Sequence, residues 1–222
     1  MFANGRSAMA GKGTVTLALA ALAGLTACGD RSSYGYSAPY MFHMRDKIAV
    51  EMPTRAPSIA QQYMTPATAD DQGHYGIDVA GPPGSPIVAA AAGIVYLSYY
   101  EAMYGNRIII DHGPDATGRR VFTHYKHLDV RQVEAGTRVA QGQQIGTLGE
   151  TGLLSSYAHL HFEVSREKAP GARSARGGNY WQGMVPQDPH RYWANGIGKV
   201  TCAGAVSGAS GPMPLVFPVA CR

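Results

Sequence analysis

Residues 133–146 read VEAGTRVAQGQQIG. Val133, Val139 and Ile145 recur every sixth position, and Gly136 and Gly142 fall midway between them. A helix would scatter that spacing around its circumference. Two tight turns at the glycines, joining short strands whose Val and Ile point inward, accommodate it. The neighbouring stretches agree. Ile87–Tyr100 (IVAAAAGIVYLSYY) is apolar, β-rich towards its end and broken by Gly93. Asn106–Asp111 (NRIIID) reads as a short buried strand. Arg120–Leu128 (RVFTHYKHL) reads as an extended one, with Val121, Thr123, Tyr125 and His127 on one face by strand alternation. The expectation is a mostly β, compact antiparallel domain with few short helices.

Bulk composition fits a folded β-domain. Hydrophobic residues make up 45% and charged residues 15% of 222, which allows a core and disfavours disorder. The 28 glycines and 14 prolines favour short strands and turns. The formal charge is +4, and loss of a leader that carries Arg6, Lys12 and no acid would leave about +2. No dense basic stripe accompanies it, so no nucleic-acid partner is expected. The glycine-spaced stretch is shared by biotinyl and lipoyl carrier domains, but the exposed hairpin Lys of a carrier is absent.

Residues 1–27 form the expected leader: a basic start, the apolar run Thr14–Leu25 (TVTLALAALAGL), then Leu25-Thr26-Ala27-Cys28. That ending resembles the bacterial lipobox, which makes Cys28 the expected acylated first residue and the membrane a partner through its lipid. Gly29 follows where an Asp would redirect sorting, so the periplasmic face of the outer membrane is the expected address in a Gram-negative cell. Residues 28–55 read as a linker, 56–195 as the main domain and 196–222 as a tail. With Cys28 lipidated, Cys202 and Cys221 remain as an even pair in an oxidising compartment. A disulfide closing that Gly-, Ser- and Pro-rich loop of roughly 20 residues would stabilise it by about 3 kcal/mol.

Six of eight histidines fall between positions 74 and 161. In His159-Leu160-His161, strand alternation puts both rings on one face, about 6–7 Å apart at Cα, with Leu160 and Phe162 on the other. His74 and Asp78 would lie about 13 Å apart if extended, so sharing a metal requires a bend, which Gly76 permits. His74, Asp78 and one of the His pair offer an N, O, N set with a fourth position open, the pattern of a catalytic zinc site. No H-E-x-x-H motif occurs, so a helix-borne Glu base is not indicated.

These motifs, in this order, resemble the lysostaphin/LytM zinc peptidases: His74-Tyr75-Gly76-Ile77-Asp78, Gly84-Ser85-Pro86-Ile87-Val88-Ala89-Ala90, Tyr125-Lys126-His127-Leu128 and His159-Leu160-His161-Phe162-Glu163, with a tail through Asp188-Pro189-His190. The resemblance implies an open groove holding Zn2+ on His74, Asp78 and His161. It implies His127 and His159 as the catalytic pair acting on the attacking water. It further implies a zinc endopeptidase that hydrolyses peptide crosslinks of peptidoglycan, with the peptide stems as partner; the alternative is a non-catalytic peptidoglycan-binding module or amidase activator. Two stretches depart from the family. Gln61–Pro66 lacks its Phe-Gly-x-Arg element, and Ser155–Ala158 stands where Thr-Gly-Pro is common. Glu163 shares the strand face of His161 and reads as its partner or as a solvated charge. Alternation puts His124 opposite His127, as a structural or exposed residue. His112 reads as a turn residue, and His43 and His190 as surface or packing residues.

Overall fold

The computed structural model describes residues 48–64, 73–172, 183–207 and 213–222. The leader, Cys28 and His43 lie outside them. Among the described residues ten strands run in chain order: β1 (Ile59–Gln61), β2 (Ile77–Ala80), β3 (Pro86–Val88), β4 (Gly93–Glu101), β5 (Gly105–Pro114), β6 (Arg120–Arg131), β7 (Arg138–Val139), β8 (Gln144–Leu148), β9 (His159–Glu167) and β10 (Met184–Gln187). Every pairing between them is antiparallel. The main path is β1-β2-β9-β6-β5-β4-β7, with β10 on β9, and β8 joining β6 to β3.

Alternation sorts the side chains of this sheet onto two faces. On one face Ile77 and Val79 of β2, Leu160, Phe162 and Val164 of β9, Val121 and Tyr125 of β6, and Ile108 and Ile110 of β5 join the main core. Trp193, stacked on Phe162 with ring centroids 6.5 Å apart, anchors it. The other face carries Asp78, His159, His161 and Glu163 at one end and a small cluster of Ile109, Phe122 and Met184 at the other. The stretch 133–146 folds as its spacing predicts. Gly136 and Gly142 take φ of 88° and 77°, and Val133, Val139 and Ile145 are buried.

Two segments expected to be peripheral pack on this core. In 48–55, read as the end of a linker, Val50 and Met52 lie against it and Glu51 pairs with Lys199. In the tail, Leu215, Phe217 and Val219 are core residues. Pro218 and Ala220 bond across to Val88 and Pro86, so the tail lines the free edge of β3. Cys202 and Cys221 form the expected disulfide, with Cα atoms 5.9 Å apart.

Candidate metal centre

Simple alternation on β6 fails at His127, and that failure builds the site. His127 has φ 63°, the one left-handed non-glycine among the described residues. Between the β5 pairs Ile108–Tyr125 and Asn106–Leu128, β6 spends three residues against two, which is a bulge. Lys126, opposite His161, already faces the site side, and the bulge turns His127 to that side as well. His127 is therefore not on the face of Val121, Thr123 and Tyr125. His124 shares the site face instead of opposing it. It lies farther along, opposite Glu163, with its Nε2 on the Ser165 hydroxyl at 2.7 Å.

Register delivers the rest. Asp78 on β2 lies directly across from His161 on β9. The approach is close because Gly76 has no side chain; a Cβ there would overlap the Phe162 carbonyl oxygen. His74 precedes the strand and exchanges two backbone hydrogen bonds with Met64, of 2.7 and 2.8 Å. One donor atom from each of His74, Asp78 and His161 lies within 4.8 Å of the others. Asp78 Oδ1 is 2.7 Å from His161 Nδ1 and 3.1 Å from His74 Nε2, and the two nitrogens are 3.1 Å apart. Zinc ligands at about 2.1 Å from the ion stand roughly 3.4 Å apart at tetrahedral angles. The set fits such an ion with shifts of a few tenths of an ångström.

Four rings are oriented by the acceptor of one nitrogen. His74 Nδ1–H donates to the Gln62 carbonyl at 2.8 Å, His127 Nδ1–H to Thr151 O at 2.8 Å and His159 Nδ1–H to Tyr157 O at 2.7 Å. His161 does the reverse, donating Nε2–H to Glu163 Oε1 at 2.9 Å. Carbonyl and carboxylate oxygens only accept, so each of these nitrogens carries its proton, and among the described residues Nε2 of His127 and Nε2 of His159 are left without a hydrogen-bond partner. His161 Nδ1 and His74 Nε2 both bond to Asp78 Oδ1 and are the atoms an ion there would draw on. His127 and His159 lie with ring centroids 4.8 Å apart, and His159 Nε2 is 3.9 Å from Asp78 Oδ1. A cleft of about 230 Å³ opens over all five residues, lined also by Tyr75, Tyr104, Leu154 and Glu163.

Charge follows geometry. Burial opposes ionisation of Asp78, but hydrogen bonds from His161 and His74 outweigh it and hold the carboxyl well below its usual range. Burial likewise opposes charge on His161, yet the bonds to Asp78 and Glu163 raise its pKa. Burial pushes His127 down to about 4, so its ring is neutral at neutral pH. Glu163 stays ionised against burial through Lys126, whose Nζ lies 2.5 Å away. Glu163 is thus the partner of His161 and not a solvated charge.

Sequence reasoning did not single out Lys126, Gln62, Thr151 or Tyr157. Lys126, the one Lys, Arg, Asp or Glu between Arg120 and Asp129 on β6 and next to His127, was a signal for the first. The other three act through backbone carbonyls, which leave no residue signature. His112 bridges strands, with Nδ1 on Ala92 O and Nε2 on the Thr123 hydroxyl, both at 2.8 Å. His190 is buried.

Residues 72–172 match Peptidase family M23. Among curated proteins, the chain is 43% identical over 98 residues to "Peptidoglycan DD-endopeptidase ShyC" of Vibrio cholerae, covering 44% of this chain and 21% of that one. It is 39% identical over 109 residues to "Uncharacterized lipoprotein YgeR" of Escherichia coli, covering 49% and 40%. It is 41% identical over 97 residues to "Murein hydrolase activator NlpD" of Salmonella dublin, covering 43% and 24%. The chain thus spans from about a fifth to two fifths of the length of these relatives.

Proposed function

Taking residues 72–172 as a peptidase family M23 domain, we propose that this chain is a zinc-dependent endopeptidase that hydrolyses peptide crosslinks of peptidoglycan. The observation that carries this reading is the completeness of the site. Three donors share one point, and two more histidines with bare nitrogens stand beside it. His74 Nε2, Asp78 and His161 Nδ1 would hold the ion. Zinc so bound supplies Lewis acidity, polarising a carbonyl and making water acidic near neutral pH.

The protein's part is to position and move protons. Either His127 or His159, through Nε2, takes a proton from the attacking water. The same nitrogen then returns it to the leaving amine, while the other ring, with Nδ1–H held by its carbonyl, stands beside the oxygen that gains charge and donates to it only when Nε2 also carries a proton. The bonds to Thr151 O and Tyr157 O keep both rings from turning away as this happens. Glu163, charged by Lys126, keeps His161 in the tautomer that leaves Nδ1 free.

A second reading draws support from the relative named as a murein hydrolase activator. In it the same domain binds peptidoglycan and stimulates another hydrolase without cutting. Purified protein incubated with crosslinked muropeptides, with and without a chelator, separates the two. Chelator-sensitive release of uncrosslinked peptides is expected. Stoichiometric zinc with no cleavage would select the activator reading. Attachment to the membrane through lipidated Cys28 is part of the proposal, supported by the lipobox and by the relative named as a lipoprotein. Palmitate labelling that persists in Cys28→Ala would remove it.

A further inference from the structure

The tail motif Asp188-Pro189-His190 and the departing segment Gln61–Met64 meet next to His74. His190 sits in a short 3-10 turn (Pro189–Arg191), capped by the Asp188 carboxylate, which accepts from His190 N. The residue is 3% exposed. Trp193 Nε1–H, which can only donate, gives its hydrogen to His190 Nδ1 at 2.9 Å. His190 Nε2 therefore carries the proton and donates to Gln62 Oε1 at 2.5 Å. The carbonyl of the same Gln62 accepts the Nδ1–H of His74 at 2.8 Å. One residue farther on from Tyr63, Met64 holds the His74 backbone on both sides.

This chain of contacts begins in the rigid centre of the molecule. Trp193 is fully buried between Phe162 and Phe217. Phe162 itself lies on β9 between His161 and Glu163. The core that fixes one metal ligand through β9 thus fixes another through Trp193, His190 and Gln62. Both His190 and Gln62 lie outside residues 72–172, which match the family.

We infer that His190 is a positioning residue for His74, acting through Gln62, so that sequence beyond the matched domain completes the metal site. Losing the His190 bond would untether Gln62, leaving its backbone freer to shift and the Nδ1–H of His74 less firmly held. That ring would then present either nitrogen to the ion instead of Nε2 alone. The inference rests on the metal-site reading of His74.

The test uses the protein with zinc added alone and, separately, the metal-free protein. Zinc affinity is measured by chelator competition for wild type, Gln62→Met, His190→Ala and His190→Gln. Gln62→Met keeps the carbonyl and removes only the acceptor for His190, so it remains informative if His190→Ala does not fold. Partners one step behind a ligand commonly contribute 10–100-fold in metal affinity. Gln62→Met and His190→Ala should weaken zinc roughly tenfold or more, and His190→Gln, which can still donate an amide hydrogen, should recover most of it. In the metal-free protein, nitrogen-15 NMR of the histidines should find His74 as one Nδ1–H tautomer in wild type and as a mixture in Gln62→Met. Unchanged affinity and an unchanged tautomer in a folded Gln62→Met protein would overturn the inference. If wild type binds no zinc, the metal-site reading fails, while the tautomer measurement still decides whether His190 and Gln62 orient the ring.

Discussion

Asp78 is the residue on which the candidate site turns, since His74, His161 and His159 all reach the same Oδ1. Substitution should split five residues into two groups. His74→Ala, Asp78→Ala and His161→Ala should lose zinc and activity together. His127→Ala and His159→Ala should keep zinc and lose turnover by roughly 10²–10⁴, the usual contribution of a positioned acid or base. Zinc content measured beside muropeptide cleavage decides it; full occupancy in His161→Ala, or full cleavage by His127→Ala, would overturn the roles. Buried histidines away from the ligands set a second expectation. Burial pushes His124 down to about 3 and His190 to about 4. In the unfolded chain an imidazole titrates near ~6.5. Between about pH 6.5 and 4 the unfolded chain takes up protons that the folded chain refuses, so this contribution is complete above pH ~6.5 and is lost as the pH falls. Urea midpoints should drop over that window, and His124→Gln should flatten the slope; parallel slopes would count against it.

At the scale of elements, the β2–β9 pair is the frame of the centre. Gly76→Ala would push a methyl group into the Phe162 carbonyl and force β2 away from β9. Overpacking of this kind costs about 1–3 kcal/mol. The variant should melt lower and bind zinc weakly although every ligand is intact, and wild-type affinity would show that the register tolerates the shift. The same elements mark what could be read from sequence. His159 and His161 share a face because alternation depends only on spacing of two, and Val133, Val139 and Ile145 turn inward because glycines mark both turns. His127 defeated that reading. Its bulge sits at a non-glycine with positive φ, so no glycine flags it, and a strand counted by twos carries the ring to the wrong face. The tail defeated it differently. Its core residues Leu215, Phe217 and Val219 are spread among prolines in too short a run to show a period, and what buries them is contact with Trp193 and with Ile87, distant in the chain.

Over the whole molecule, the two termini of the described chain close on the core, and the Cys202–Cys221 bond ties the last turn of chain to the segment after Trp193. For a closed loop of this size a disulfide contributes about 3 kcal/mol. Reduction, or Cys202→Ser with Cys221→Ser, should lower the melting temperature by several degrees; identical melting with and without reductant would argue against any such contribution. The tail also occupies the outer edge of β3, where Pro218 accepts from Val88 and Ala220 donates to Pro86. Peeled off, it would bare backbone donors and acceptors beside a strip of Ile and Val, a template on which a neighbouring chain can dock its own strand. The tail therefore covers this edge. Molecules shortened before Leu215 are expected to form dimers and larger aggregates in light scattering even where their metal ligands are untouched, because solubility in this fold depends on a strand edge far from its chemistry.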